Sequence, residues 1–261
     1  MDVPLNLILE QIVARKKVEL AEARVGETVL ERRAQTVERR DFAGVLRARR
    51  PAILAEIKKA SPSRGVLSTN FDAALIAAQY RNGGAAAISV LTDRDFFQGS
   101  LKDLESVRAA VDLPILRKDF TIDEYQVLEA AASGADAILL IAAVLDEWQM
   151  RDLREAAGRY GMAALVEVHD ARELAAAVAS GAEVIGVNNR DLRTFEVRLE
   201  TSLDLVGKIP SRTLKISESG IRTADDVKRL SDAGFDAFLV GEHLMRSANP
   251  TAAIRELVGV R

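Results

Sequence analysis

The sequence contains no cysteine and only two histidines, His169 and His243. Disulfide bonds, thiolate nucleophiles and cysteine-based zinc sites are therefore excluded, and two histidines are too few for a histidine-rich metal site. Any catalytic chemistry must therefore depend on lysine, glutamate, asparagine and serine side chains.

The sequence also lacks a long apolar run at its N-terminus and a strong net charge. Residues 5–24 mix apolar and charged positions, so neither a signal peptide nor a membrane span is expected there. With 36 Lys and Arg against 39 Asp and Glu, the net charge of -3 provides no field that would attract nucleic acid or an acidic membrane. We expect a cytoplasmic protein that binds a small molecule, with no nucleic-acid, membrane or obligate protein partner.

The first fifty residues precede the first predicted strand. The spacing of apolar residues predicts an amphipathic helix over residues 5–24, and a second helix is predicted over 42–49, ending before Pro51. The polar, arginine-rich stretch between them, residues 31–40, is predicted to be a solvated link. We therefore expect residues 1–50 to form a helical extension that packs on a domain of residues 51–261.

From residue 51 onward one unit repeats: a short apolar run, a loop, an amphipathic helix and a glycine-containing turn. Eight runs are predicted to be strands, at 53–58, 86–91, 114–118, 137–141, 163–167, 184–188, 213–217 and 237–240. Helices are predicted to begin near Asp72, Leu101, Asp123, Asp146, Ala171, Thr201, Thr223 and Thr251. Eight such units predict an α/β fold, a single (β/α)₈ TIM barrel with an N-terminal helical extension. The alternative, an open doubly wound sheet, is disfavoured because no Gly-x-Gly-x-x-Gly follows a strand.

Two charged residues stand in the otherwise apolar first strand. Glu56 and Lys58 are two positions apart, so strand geometry places both side chains on one face. Ser61 and Pro62 then end the strand, which places the pair near its carboxyl end, where barrels hold their active sites. A buried ion pair or a solvated edge strand is the alternative interpretation of the same pattern.

Further polar residues follow the other predicted strands, and the carboxyl ends of barrel strands meet at one mouth. Acidic, basic and amide side chains at equivalent strand ends predict an active site at this mouth. Gly220 and Gly241 close the last two strands, where barrels often bind phosphate through backbone N–H groups, although both could be ordinary turn glycines. A helix after Gly241 is expected to point its N-terminus at the same anion. The polar residues are Lys118, Glu167, Asn188, Arg190, Glu218 and Glu242.

These residues stand in runs that resemble the indole-3-glycerol phosphate synthases, the barrel enzymes of tryptophan biosynthesis. The runs that carry the resemblance extend through the whole barrel, and the N-terminal extension is in keeping with the family. They are Ala-Glu-Ile-Lys-Lys-Ala-Ser-Pro-Ser (55–63), Leu-Thr-Asp (91–93), Phe-Phe-Gln-Gly-Ser (96–100), Leu-Arg-Lys-Asp-Phe (116–120), Leu-Val-Glu-Val-His (165–169), Gly-Val-Asn-Asn-Arg-Asp-Leu (186–192), Ser-Glu-Ser-Gly-Ile (217–221) and Val-Gly-Glu (240–242).

The resemblance implies a carboxy-lyase that closes the indole ring of 1-(2-carboxyphenylamino)-1-deoxyribulose 5-phosphate and releases carbon dioxide and water. It implies no metal and no cofactor, and an extension that lies over the catalytic mouth. It gives Lys118 the role of general acid and Glu167 that of the second acid/base. The remaining positions implied by the resemblance are Glu56, Lys58, Asn188 and Ser219 in catalytic support, Ser61, Pro62, Phe120, Arg190 and Glu218 against the substrate, and Lys58, Gly220, Gly241 and Glu242 at the phosphate.

Two other functions are compatible with a phosphate-binding barrel. An isomerase of phosphoribosyl anthranilate usually works with Asp and Cys, and the lack of cysteine argues against it. A non-catalytic phosphosugar-binding barrel is expected to lose its acid, whereas Lys118 and Glu167 are both present.

Several properties of individual residues are also predicted. His169 lies just past the fifth predicted strand, where His169 and Asp170 could act as an acid/base pair, but a helix cap by Asp170 is the simpler interpretation. Trp148 is interpreted as a packing residue. The direction in which the pKa of Lys118 shifts stays open, because Lys58 and Arg190 favour a lower pKa while Glu56 and Glu167 oppose that shift.

Overall fold

Eight parallel strands close into a barrel, which confirms the predicted TIM barrel. The structure is a computed structural model that describes residues 5–23, 26–62, 65–68, 70–191, 194 and 196–259. Each strand pairs with its neighbours in chain order, and the first strand pairs with the eighth to close the sheet. The barrel strands are β1 (Ala52–Ile57), β2 (Ala87–Leu91), β3 (Ile115–Lys118), β4 (Ala137–Ile141), β5 (Ala163–Val168), β6 (Val184–Asn188), β7 (Leu214–Glu218) and β8 (Ala237–Val240).

Helices follow the strands as the repeat predicts. Asp72, Asp123, Asp146 and Thr223 each cap a helix, because their side chains accept a backbone N–H from the first turn. The helices of the described residues are α1 (Leu5–Ala23), α2 (Glu27–Thr36), α3 (Phe42–Ala48), α4 (Ala73–Gly83), α5 (Leu101–Ala110), α6 (Glu124–Ser133), α7 (Glu147–Arg159), α8 (Ala171–Ala179), α9 (Glu200–Val206), α10 (Ala224–Ala233), α11 (Glu242–Met245) and α12 (Pro250–Leu257). After β1 the chain forms a hairpin in which Ala60–Ser61 pairs with Gly65–Val66.

The alternation of side chains along each strand explains where the polar residues point. On β3, Ile115 packs outward under the helices, whereas Leu116 faces the interior of the barrel. Lys118, two positions after Leu116, therefore also faces inward, but at the open end. The same alternation brings Glu56, Glu167 and Glu218 to the carboxyl end of the interior.

The N-terminal extension differs from its prediction in residues 31–40. Glu27–Thr36 is the helix α2, and Leu30 and Ala34 face the core while the charged residues stay outside. Arg and Glu are good helix formers, so a charge-rich stretch with one small apolar face forms a helix rather than a link.

Arg39 is also not solvated as predicted. Its guanidinium donates hydrogen bonds of 2.9 Å to the carbonyls of Ala131, Ala135 and Tyr160. These carbonyls lie at or just beyond the C-terminal ends of α6 and α7, where helix carbonyls have few backbone donors. Arg39 therefore fastens the extension to the barrel.

The extension reaches both ends of the barrel. Phe42 and Leu46 of α3 are buried among inward-facing residues such as Ala52 and Leu214, so α3 closes the end opposite the mouth. Ile8, Leu9 and Ile12 of α1 lie at the mouth, where they line the cavity described below. The division of the chain at residue 50 remains a prediction.

Trp148 is not a packing residue, because it is 65% exposed. The helix α7 instead buries Met150, Leu153 and Ala157, and the Arg151 guanidinium lies 4.6 Å from the Trp148 ring centre. Among the described residues, no helix combines the length and the apolar character needed to cross a membrane. The end of the predicted first helix at Arg24, and Ser63 and Leu192 of the runs quoted above, lie outside the described residues.

Candidate active site

A cavity of about 670 Å³ opens at the carboxyl ends of the strands. Every site residue predicted from the sequence lines it, although their roles remain predictions. They are Glu56, Lys58, Ser61, Pro62, Lys118, Phe120, Glu167, Asn188, Arg190, Glu218, Ser219, Gly220, Gly241 and Glu242.

Lys118 lies between two carboxylates. Its Nζ is 2.6 Å from Oε2 of Glu218 and 3.0 Å from Oε2 of Glu167. Burial lowers the pKa of Lys118, but Glu218, Glu167 and Glu56 raise it more, so the net pKa lies above the ordinary lysine value. The three carboxylates thus decide the direction that the sequence left open, and Lys118 stays a cation at neutral pH.

Glu56 and Lys58 form an ion pair at the end of β1. Burial raises the pKa of Glu56, but Lys58 and Lys118 lower it by more than burial raises it. The net pKa therefore lies below the ordinary value, and the carboxylate is ionised. Gly241 leaves room for this carboxylate, since a Cβ at that position would lie 2.2 Å from Oε1 of Glu56. Gly241 is therefore more than a turn glycine, whether or not a phosphate also approaches it.

Glu218 is almost fully buried, and only one of its oxygens has a partner. Oε2 accepts from Lys118, whereas Oε1 has no hydrogen-bond partner among the described residues. A Cβ on Gly186 would lie 2.1 Å from that Oε1, so the glycine makes the space that the carboxyl group occupies. Burial raises the pKa of Glu218 to about 7, with Glu167 adding to the shift and Lys118 opposing it. Glu218 can therefore exchange a proton near neutral pH beside Lys118, a contact that the sequence did not predict.

Glu167, near the end of β5, has three polar partners. Lys118 lies on one side, the Asn188 side chain donates to Glu167, and Nε2 of His169 lies 3.3 Å from Oε1. Burial raises the pKa of Glu167, but Lys118, His169 and Asn188 bring it well below the ordinary value. The resting site therefore holds Glu167 as an ionised base.

His169 also contacts Glu167, although the preferred interpretation of the sequence gave it no role in the site. Asp170 does cap α8 as predicted, because it accepts hydrogen bonds from the backbone N–H groups of Arg172 and Glu173. The cap does not stop His169 from facing inward. The signal for this was the two-residue spacing of Glu167 and His169, which places both on one face of β5.

Glycine, serine and arginine residues form the end of the cavity next to β7 and β8. Ser219 and Gly220 both have left-handed backbone, with φ of 69° and 83°, which is uncommon for serine and concentrates at functional sites. Arg190 lies 3.7 Å from Glu242. The expected helix after Gly241 is only the single turn α11. This end of the cavity is lined by Ser219, Gly220 and Gly241 together with the Arg190–Glu242 pair.

Aromatic and aliphatic side chains form another wall. The rings of Phe97 and Phe120 lie 6.1 Å apart between centres, and Ile8, Leu9 and Ile12 of α1 face the same cavity. Phe97 and the α1 residues were not predicted as site residues. The run that contains Phe97 had carried the resemblance, but the contribution of α1 depends on how the extension folds back.

No metal site accompanies these groups in the described part of the chain, where no cluster of three or more His, Asp or Glu residues has a metal-binding arrangement.

Comparison with known proteins identifies the family. Residues 9–257 match the family model for indole-3-glycerol phosphate synthase. A protein of that name from Polaromonas naphthalenivorans is 51% identical over 97% of this chain and 98% of its own length. Another from Albidiferax ferrireducens is 51% identical over 96% of this chain and 97% of its own length. The solved 3-hexulose-6-phosphate synthase of Salmonella typhimurium, 13% identical, superposes with a TM-score of 0.64 over 80% of this chain and 97% of that chain, a likeness of fold alone. The chain belongs to the indole-3-glycerol phosphate synthase family.

Proposed function

We propose that this chain is a carboxy-lyase that converts 1-(2-carboxyphenylamino)-1-deoxyribulose 5-phosphate to indole-3-glycerol phosphate in tryptophan biosynthesis. The observation that carries the proposal is the Lys118 ammonium held between Glu167 and Glu218. The reaction needs a cation at a ketone oxygen and a nearby acid and base, and this cluster supplies all three. A cytoplasmic location, and catalysis without a metal or cofactor, remain predictions.

The two ends of the cavity fit the two ends of the substrate. The aryl group fits beside Phe97 and Phe120, against the apolar face of α1. The phosphate fits the opposite end, where the backbone of Gly220, Gly241 and Glu242 is within the lining, together with the charges of Lys58 and Arg190. Ser61 and Pro62, in the hairpin after β1, line the same cavity.

Lys118 performs the ring closure in this proposal. As the aromatic carbon attacks the ketone carbon, negative charge develops on the ketone oxygen, and the ammonium stabilises it and then protonates it. The substrate carboxylate leaves as neutral carbon dioxide, so each turnover takes up one proton from water. Glu218, whose pKa is raised to about 7, is placed to return that proton to Lys118.

Glu167 performs the dehydration. The new hydroxyl group must leave as water, which needs a proton, and the adjacent ring carbon must lose a hydrogen, which needs a base. One carboxyl group can serve both needs in turn if it is ionised at rest and can acquire a proton during the step. Glu167 meets the first condition because its pKa lies below the ordinary value.

The test is incubation of the purified chain with the carboxyphenylamino-deoxyribulose phosphate while the fluorescence of the indole product is followed. Product should form with the wild-type chain, whereas Lys118→Met, which keeps the apolar stem without the ammonium, should be ~10²- to 10⁴-fold slower. Absence of product at micromolar wild-type enzyme would contradict the proposal and favour a phosphate-binding barrel without this activity.

A further inference from the structure

A mostly buried histidine that the reaction as described does not use lies behind Glu167. The His169 side chain is 11% exposed. Its Nε2 lies 3.3 Å from Oε1 of Glu167, and its Nδ1 lies 2.9 Å from Oε2 of Glu173 on α8. The imidazole ring therefore bridges a carboxylate of the cavity and a carboxylate of the surrounding helix layer.

Glu173 holds the ring in this orientation. Oε2 of Glu173 also accepts a hydrogen bond of 2.8 Å from the backbone N–H of His169. The backbone N–H of Glu173 donates in turn to Oδ1 of Asp170, also at 2.8 Å. A carboxylate that holds one ring nitrogen of a histidine decides which way the other nitrogen points. Here the other nitrogen, Nε2, points at Glu167. Because Nε2 has no aligned hydrogen bond among the described residues, Glu167 is the group nearest at hand to receive its proton.

The charges around His169 come from both elements that face it. Burial lowers the pKa of His169, but Glu167 from β5 and Glu173 from α8 raise it to about 10. The Lys118 ammonium contacts the other carboxylate oxygen of Glu167, Oε2. At neutral pH the ring is therefore an imidazolium, whereas Glu167 carries no proton. This is the proton that the dehydration requires.

On the basis of the proposed function, we propose that His169 is a positioning residue that orients Glu167 and supplies the proton with which Glu167 expels the hydroxyl group. In that step the Nε2–H bond breaks and an O–H bond forms on Glu167, which passes the proton to the departing hydroxyl so that it leaves as water. The ring carbon then loses its hydrogen to Glu167, and this proton returns to Nε2. The His169–Glu167 pair thus ends each turnover with the protons with which it began, and Nδ1 keeps its hydrogen bond to Glu173 throughout.

Two substitutions of His169 test the proton supply by turnover. His169→Gln keeps an amide near the position of Nε2 but has no proton to transfer, so kcat should fall ~10²-fold while KM stays within about twofold. His169→Ala should show a similar fall, and added imidazole should restore part of kcat by entering the space of the ring. A kcat for His169→Gln within twofold of wild type from pH 6 to 9 would overturn the proposal. So would a loss in His169→Ala that imidazole does not reverse, because a merely structural role predicts that result.

A matched pair of variants separates the role of Glu173 from simple loss of a helix cap. Asp226 accepts the backbone N–H groups of Arg222 and Thr223 at the start of α10, much as Glu173 accepts that of His169 at α8. Asp226→Asn should therefore leave kcat near the wild-type value, whereas Glu173→Gln should lower it. An equal effect of the two substitutions would contradict the inference.

Nitrogen-15 NMR of histidine-labelled protein tests the same geometry without turnover. The chain has only two histidines, and His169→Gln identifies which signals belong to His169. We expect the His169 ring to stay charged to about pH 10 in the wild type and to lose its proton at lower pH in Glu173→Gln. Titration near 6.5, the ordinary histidine value, would overturn the inference even in an active enzyme. Absence of product from the wild type would instead contradict the proposed function.

Discussion

The Nζ of Lys16 on α1 lies 2.9 Å from a carboxylate oxygen of Asp119, the residue that follows Lys118 in the chain. Lys16 is also 2.9 Å from Asp93, which follows β2. Burial lowers the pKa of Lys16, but Asp119 and Asp93 raise it above the ordinary value, so the pairs are ionic. One buried ammonium therefore fastens the first helix to two loops at the catalytic mouth.

Loss of this ammonium should loosen α1 over the cavity. Lys16→Met removes the cation that Asp93 shares with Asp119 and leaves Asp119 paired with Arg117 alone among the described residues. Breaking a buried ion pair costs about 3–5 kcal/mol in other proteins. We expect KM to rise more than kcat falls, since α1 lines the cavity with apolar side chains and none of the acid/base groups. Steady-state kinetics on Lys16→Met and on the exposed neighbour Lys17→Met checks this. Equal KM values in the two variants would show that α1 does not contribute to substrate binding.

Glu218 should give the activity a limb near neutral pH. Its carboxyl group is protonated below a pKa of about 7 and ionised above it. If the protonated form returns the proton to Lys118, kcat/KM of the wild type should decline as pH rises through about 7. Glu218→Gln should be slower at every pH, and its profile should lack this limb. A limb that persists in Glu218→Gln belongs to another group, such as the substrate phosphate.

Gly186 should be required for activity although it touches no predicted substrate group. A methyl group there would lie 2.1 Å from Oε1 of Glu218, so Gly186→Ala should displace this carboxyl group from Lys118 and lower kcat. Gly158, on the exposed side of α7, provides the control because a Cβ there meets nothing within 4 Å. Gly158→Ala should stabilise the fold by roughly 0.5–1 kcal/mol and leave kcat unchanged. Thermal denaturation of both variants measures their stability, and steady-state kinetics measures their kcat.

The first helix of the extension, α1, should support substrate binding, whereas its last helix, α3, should support the stability of the fold. Deletion of residues 1–25 removes α1 from the mouth, so we expect far-UV circular dichroism that loses only the helical signal of α1, together with a raised KM. Phe42→Ala instead opens a cavity at the closed end of the barrel, where Phe42 is 2% exposed, and should cost about 3–5 kcal/mol of unfolding free energy. A deletion that extends past Phe42 is therefore expected to unfold the chain. Folding of such a shortened chain at wild-type stability would contradict the role assigned to α3.

The barrel and the lining of its mouth could be predicted because both depend on a short period. Alternation along a strand places Glu56 and Lys58 on one face, and the ends of parallel strands meet whatever the loops do. The resemblance to the family then supplied roles for Lys118 and Glu167 that spacing alone does not contain.

Other features depend on distances between residues far apart in the chain. The direction of the Lys118 pKa follows from a 2.6 Å contact with Glu218, one hundred residues away, which no local pattern encodes. The prediction of a solvated Arg39 is wrong because the helix ends that it binds lie about a hundred residues further along. The local explanation of His169, a position before the cap by Asp170, is correct but incomplete.

The ion pairs of His169 should also appear in the pH dependence of stability. Because folding raises the pKa of His169 from its ordinary value of 6.5 to about 10, the folded chain binds more protons than the unfolded chain between these values. The stabilisation is therefore complete below pH 6.5 and is lost as pH rises towards 10. Urea denaturation at pH 7, 8, 9 and 10 should give a free energy of unfolding that falls more steeply in the wild type than in His169→Gln. Glu218, with its pKa of about 7, also titrates in this range, but both proteins carry it, so the difference between the two curves reports on His169. Parallel curves for the two proteins would show that His169 is not held as an imidazolium between Glu167 and Glu173.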